Sequence, residues 1–157
     1  MRKRSLPKRE IRELNSKVQG FQLDLKCTIE IVEDTRGTLI LQEGEPVLFL
    51  HQDSWLPTLQ SLYKDNFLKK ITVDMGAIKF ICSGADVMRP GITKIDDAIS
   101  KDSPVAVVDE RYGKLLAVGV SLFDSEEMRN MEKGKVVKNL HYVGDWIWEF
   151  NKKQPSA

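Results

Sequence analysis

Residues 73–93, reading VDMGAIKFICSGADVMRPGIT, constrain the fold more than any other stretch of the chain. Their character changes three times. Asp74 is placed to cap a short helix, and Ala77, Ile78, Ile81 and Cys82 recur at helical spacing as one apolar stripe. Gly84 stands where a helix ends in the left-handed conformation, which costs glycine nothing. Val87 and Met88 then start a strand, and Arg89-Pro90-Gly91 reads as a type II turn with glycine at the positive dihedral. A helix of about eight residues is unstable alone in water, so a sheet must hold it. The glycine loop is expected to leave backbone N–H groups uncovered, as phosphate cradles do.

The remaining elements supply that sheet. Residues 24–33 alternate, with Leu25, Cys27, Ile29 and Ile31 on one face, and read as a half-buried strand. Residues 39–42 form a second strand, Gly44 and Pro46 a turn, and residues 47–50 a fully apolar strand. Asp53-Ser54 reads as the cap of a helix over residues 55–63, with Pro57 in its first turn. Beyond the organising stretch, residues 104–109 and 115–122 form a hairpin around Tyr112-Gly113. Gly119 marks a place where another backbone comes close. A short acidic helix begins at Asp124 and ends by Gly134, and residues 135–142 and 145–150 read as closing strands. Five or six short strands at this spacing suggest a small barrel.

The fold class is therefore α+β. The expected division is a small N-terminal α+β domain over residues 1–69, a barrel domain over 70–150 and a polar, frayed tail over 151–157. A chain of 157 residues can bury enough surface for such cores without staples.

Charge is distributed unevenly. Residues 1–20 hold seven basic side chains against Glu10 and Glu13, a net +5, so the rest of this +1 chain carries −4. Residues 5–18 read as a helix behind a basic arm, either a solvated docking helix or one that faces RNA through its charge. The barrel lacks the global basic footprint of a bulk phosphate binder, so any RNA contact there must be local.

Few residues suggest chemistry. Cys27 and Cys82 lie far apart in apolar contexts, which argues against a cysteine metal site and fits a reducing, cytoplasmic compartment. No apolar run approaches a membrane span, and the basic start lacks the apolar segment of a secretory signal. His51 and His141 have no accompanying nucleophile motif and read as structural. Walker A, GxGxxG and HExxH motifs are absent from the sequence. No catalytic residue, cofactor or metal is expected. A binding surface remains: Lys79 falls off the apolar stripe, and Arg89 adjoins the glycine loop. Tyr142, Trp146 and Trp148 either stack on bases or belong to the core.

Asp74, Gly76, Ala77, the SGA at 83–85 and Pro90-Gly91 resemble the signature of the PUA domain, an RNA-binding pseudobarrel found in pseudouridine synthases and archaeosine transglycosylases. PTL at 57–59, VDMGAIKF at 73–80, His141-Tyr142 and Asp145 with Trp148 resemble the multiple-copies-in-T-cell-lymphoma (malignant T-cell-amplified sequence) family, in its archaeal form. That family is also similar to the N-terminal part of translation initiation factor 2D (ligatin). The resemblance implies a pre-PUA domain followed by a PUA pseudobarrel with short helices. It implies RNA contacts at Lys79, Ser83, Gly84, Ala85, Arg89 and Pro90, although the glycines and proline could equally only shape the fold. It further implies a non-catalytic, ribosome-associated factor of translation at the small subunit and the tRNA acceptor end. Reinitiation, recycling or non-standard initiation would be its setting. Its RNA would be tRNA or small-subunit rRNA. A separate partner similar to density-regulated protein would supply an initiation-factor-1-like domain. The competing reading is a detached RNA-targeting subunit for a transglycosylase or pseudouridine synthase.

Overall fold

The computed structural model describes residues 1–152, so most of the expected tail, residues 153–157, lies outside the described residues. The N-terminal part is a five-stranded antiparallel sheet in simple sequence order: β1 (Arg2–Ser5), β2 (Ile29–Asp34), β3 (Gly37–Gln42), β4 (Glu45–His51) and β5 (Ser54–Pro57). Helix α1 (Lys8–Lys17) buries Ile11 against one face, in a cluster with Leu6, Leu23, Ile29, Ile40 and Leu48.

Three features differ from the sequence reading. The basic arm is not a free lead-in to the helix but a strand, with Arg2 opposite Glu33 and Ser5 opposite Glu30. Its cations lie across from the acids of β2, as in the Lys3–Glu30 ion pair of 3.7 Å, and opposite charges support cross-strand pairing. Pro46 does not turn the chain; it sits within β4 opposite Leu41, next to a register shift that absorbs its missing N–H. The turn is made instead by Glu43 and Gly44, both at positive φ (51° and 80°), as a two-residue hairpin requires. Residues 55–57 are strand rather than helix, with Trp55, Leu56 and Pro57 opposite Leu50, Phe49 and Leu48. Proline disfavours helical dihedrals in the residue before it, which keeps Leu56 extended. Helix α2 (Leu59–Lys64) starts only at Thr58, whose hydroxyl caps it by accepting from Ser61 N–H.

The second sheet has six strands in the order β7 (Val87–Met88), β11 (Lys135–Tyr142), β10 (Leu115–Ser121), β9 (Pro104–Asp109), β6 (Lys69–Val73) and β8 (Ile92–Ile95). The β6–β9 pair is parallel and the others are antiparallel. Its two edge strands, β7 and β8, are consecutive in sequence, joined by one 3-10 turn at Arg89–Gly91, so the sheet curls into a nearly closed pseudobarrel. Two short helices, α3 (Ile78–Ile81) and α4 (Ser125–Arg129), lie against it.

Here too there are corrections. Arg89–Gly91 is a 3-10 turn, and Gly91 is not at positive φ. Its carbonyl accepts from Asp74 N–H, which ties the turn to the end of β6. Residues 145–150 form helical turns, not a closing strand: Glu149 N–H donates to the Asp145 carbonyl, and the Asp145 carboxylate accepts from Trp148 N–H. Gly119 does meet another backbone, since a Cβ there would collide with the Lys138 carbonyl.

The central strands β9 and β10 are buried on both faces, which explains the unbroken apolar run Val105 to Val108. Val105, Val107, Leu116 and Ala117 fill the barrel with Ile71, Val73, Ile81 and Met128. Ala106, Val108, Leu115 and Val118 face the other way, onto Val32, Leu39, Phe49, Leu59 and Leu62 of the N-terminal part. A register shift between Leu115 and Ala117 places Leu116 and Ala117 on the same side. The two parts therefore share one apolar layer.

At the centre of that layer lies His141, fully buried. Its Nε2 accepts from Leu59 N–H at 3.0 Å, so its proton sits on Nδ1, which donates to Asp145 Oδ2 at 2.8 Å. Burial works against ionisation of Asp145. The hydrogen bond from His141 and those from Trp148 and Tyr142 N–H outweigh it and hold the carboxyl below its ordinary range. His141 is thus a structural histidine that bolts the barrel to the start of α2.

Candidate nucleic-acid interface

The organising stretch folds as its local chemistry dictates. Asp74 Oδ1 accepts from Ala77 N–H at 3.0 Å and caps a 3-10 turn (Met75–Ala77) that runs into α3. Ile81 is buried, and Ala77, Ile78 and Cys82 pack beside it against the barrel core. Lys79 and Phe80 face outward, the ammonium 5.1 Å from the ring centroid, and Phe80 is 56% exposed.

The backbone amides that follow are not free to cradle a phosphate. Ser83 N–H donates to Phe80 O, Gly84 N–H to Ile81 O and Ala85 N–H to Phe80 O. They form a helix C-cap around Gly84 at φ 98°, and its needs consume the donors. The Ser83 hydroxyl donates to Lys79 O at 2.7 Å. The Tyr142 ring lies over Gly84, 3.3 Å from where a Cβ would stand.

Arg89 also departs from expectation. Its side chain is half-buried and turned away from the glycine loop: Nε donates to Met128 O at 2.6 Å and Nη1 to Ile92 O at 3.4 Å. It stitches α4 to β8 instead of offering a free cation. Pro90 is exposed in the turn beside it, and Ala85 is exposed at the loop. The structure thus brings Lys79, Ser83, Gly84 and Ala85 together and directs Arg89 elsewhere.

Two features escaped the sequence. Between α3 and β7 runs an apolar groove of about 360 Å³, lined by Ala77, Phe80, Ala85, Val87 and Met88, with Asp86 its charged wall. Met88 is 50% exposed. Asn139 clamps the loop to β11: its Nδ2 donates to Ile81 O and Ala85 O, and its N–H donates to Asp86 Oδ1. An asparagine in a strand gives no local sign of such a role. Nearby, Lys135 pairs with Asp86 at 3.4 Å.

Chemically, this face offers the Lys79 ammonium, which makes no ion pair among the described residues, an exposed aromatic ring and an apolar slot. Among the described residues no group of three His, Cys, Asp or Glu could hold a metal, and no helix is long and apolar enough to cross a membrane. Trp146 and Trp148 both pack against the core between the two sheets, with different neighbours. Arg36 lies 4.9 Å over the Trp146 ring, while Trp148 packs 5.7 Å from Tyr63.

Two family models match separate segments of the chain. The family model for the PUA domain matches residues 69–143, and that for a domain of unknown function matches residues 3–65. An uncharacterized protein of Methanocaldococcus jannaschii is 40% identical over 152 residues, covering 92% of this chain and 94% of that one. Translation machinery-associated protein 20 of Eremothecium gossypii is 32% identical, covering 82% and 76%. Malignant T-cell-amplified sequence 2 of Homo sapiens is 36% identical, covering 78% and 71%. Among solved structures, a PUA-domain protein of Aeropyrum pernix, in a tartrate complex, superimposes with a TM-score of 0.82 at 26% identity, covering 95% of this chain and 90% of that one.

Proposed function

The chain belongs to the PUA-domain family that includes the translation machinery-associated and malignant T-cell-amplified sequence proteins, and from that premise we propose a non-catalytic RNA-binding accessory factor of translation. An RNA-binding, translation-associated role is what the family membership supports. The finer reading is action at the small ribosomal subunit, close to the tRNA acceptor end, in reinitiation, recycling or non-standard initiation. In this reading residues 70–150 bind RNA and residues 1–69 dock a separate partner. That partner would be similar to density-regulated protein and carry an initiation-factor-1-like domain.

The outer face of α3 carries the reading. Lys79 and the bare Phe80 ring stand side by side above an apolar groove, while the neighbouring amides are already satisfied. RNA would be held there by side chains, with the ammonium on a phosphate and the ring and groove on a base. Ser83, Gly84 and Ala85 would shape the edge of that face.

Lys79→Glu tests it, because Lys79 is exposed and the fold does not depend on it. Binding of a fluorescent tRNA should weaken about three- to tenfold. The slope of log affinity against log salt should become shallower by about 0.7–0.9, the release of one counterion. Co-sedimentation with small ribosomal subunits should fall in parallel. Unchanged affinity and slope would remove α3 from the interface.

A further inference from the structure

The hairpin that joins β9 to β10 ends in a tip over residues 110–114 that neither family signature nor sequence motif singles out. Tyr112 is 76% exposed there, the most exposed aromatic ring among the described residues. Large apolar rings on mobile loops are common enough, but this tip is fastened. The buried Asp109 carboxylate accepts from Tyr112 N–H at 2.6 Å, from Arg111 N–H at 2.9 Å and from Lys114 N–H at 3.1 Å. Asp109 N–H donates to Lys114 O, Gly113 N–H donates to Asp109 O, and Gly113 takes the positive φ (66°) that closes the turn. A ring presented on so ordered a turn loses little backbone freedom when it makes a contact.

The tip also stands at the same end of the barrel as α3. In the parallel pair Val73 lies opposite Asp109, and Glu110 N–H donates to Val73 O, one residue before the cap of the organising stretch. Across β10, Val143 N–H donates to Leu116 O, so the end of β11 with Tyr142 and its neighbour Gly84 closes the other flank. Arg111 and Lys114 are exposed and make no ion pair among the described residues; Glu110 is the single acid of the tip.

We propose that this tip extends the RNA face: Tyr112 is a stacking platform for an unpaired base, and Arg111 and Lys114 hold the phosphates on either side of it. The proposal rests on the RNA-binding reading of α3 and lengthens its track from Lys79, past Ser83 and Gly84, to the tip that carries Tyr112. The ligand class is single-stranded RNA. Stacking accepts any base, so this end of the track would favour unpaired over duplex RNA without selecting a sequence.

The test uses the full chain with a fluorescent twelve-nucleotide unstructured RNA and a duplex of equal length. Tyr112→Ala should lower affinity for the single strand about ten- to a hundredfold, with the salt slope unchanged because no phosphate contact is lost. Tyr112→Phe should stay within about twofold, because the ring suffices for stacking. Lys114→Ala should make the slope shallower by about 0.7. Thermal melts of each variant, expected to match the parent, separate loss of stacking from loss of fold. If Lys79→Glu weakens binding while Tyr112→Ala does not, the tip lies off the track and this proposal falls while the α3 reading stands. If no RNA binds the parent chain, both fall. If Tyr112→Ala leaves RNA binding intact but abolishes capture of a protein from ribosomal fractions, the tip is a protein contact and the proposal is overturned.

Discussion

Replacing the buried His141 with alanine should cost the protein a large share of its stability. The magnitude follows from its partners. Leu59 N–H would be left as a buried donor without an acceptor, at about 1–3 kcal/mol. The hydrogen bond to the Asp145 carboxylate would be lost, at about 1.5–3 kcal/mol, reduced because Tyr142 and Trp148 N–H still support that carboxylate. The edge-on contact with Phe49, at 5.4 Å between centroids, adds about 0.5–1.5 kcal/mol. Together these give about 3–5 kcal/mol, against the roughly 5–15 kcal/mol typical of native proteins. For a chain of this length that corresponds to a melting temperature lower by about 10–15 °C. Urea unfolding followed by tryptophan fluorescence is the assay, since Trp146 and Trp148 line the same layer. His141→Gln, which keeps an acceptor for Leu59, should recover about 1 kcal/mol. A loss below roughly 1 kcal/mol for alanine would refute the reasoning outright, and a phenylalanine variant as stable as the parent would show that packing and not the two hydrogen bonds holds the junction.

Acid should loosen the same junction and the β9–β10 tip. Asp145 and Asp109 both have carboxyls held below their ordinary range. In Asp109 the cause is the backbone N–H of Tyr112, then those of Lys114 and Arg111, acting against burial. A depressed carboxyl contributes stability above its unfolded value, about 3.9, and loses it as pH falls through the folded value. Urea midpoints should therefore hold from pH 7 to about 5 and drop below about 4, and Asp109→Asn should flatten that drop; a midpoint independent of pH down to 3 would contradict it. Gly119→Ala should cost about 1–3 kcal/mol or more, because the new methyl would stand 2.7 Å from Val137 Cγ1 and still closer to the Lys138 carbonyl. A melting temperature unchanged by that substitution would mean that β10 and β11 can separate there without penalty.

The sequence makes legible what is decided within a few residues. Asp74 caps because its carboxylate reaches Ala77 N–H three residues on, Gly84 ends the helix because only glycine takes φ 98° without strain, and the run Val105 to Val108 signals a strand covered on both faces. It hides what depends on distant partners. Arg2–Ser5 becomes a strand only because β2, some thirty residues away, presents an open acidic edge. Trp55 to Pro57 becomes strand because β4 is there to receive it, and helix-compatible spacing yields to that pairing. The candidate site divides along the same line. Lys79 is exposed where the helical spacing puts it, whereas the employment of Arg89 by Met128 O and Ile92 O involves a helix 39 residues later. The glycine loop shows why a motif alone is insufficient: glycine permits the turn, and the turn then consumes the amides of residues 83–85.

The apolar layer common to both sheets has a mechanical corollary. With β9 and β10 clasped from either side and His141 pinned to α2, the molecule behaves as a ruler rather than a hinge. Whatever grips its first sheet is held at a set distance and angle from whatever rests on α3, and a lengthened or softened joint would blur that spacing without touching either contact.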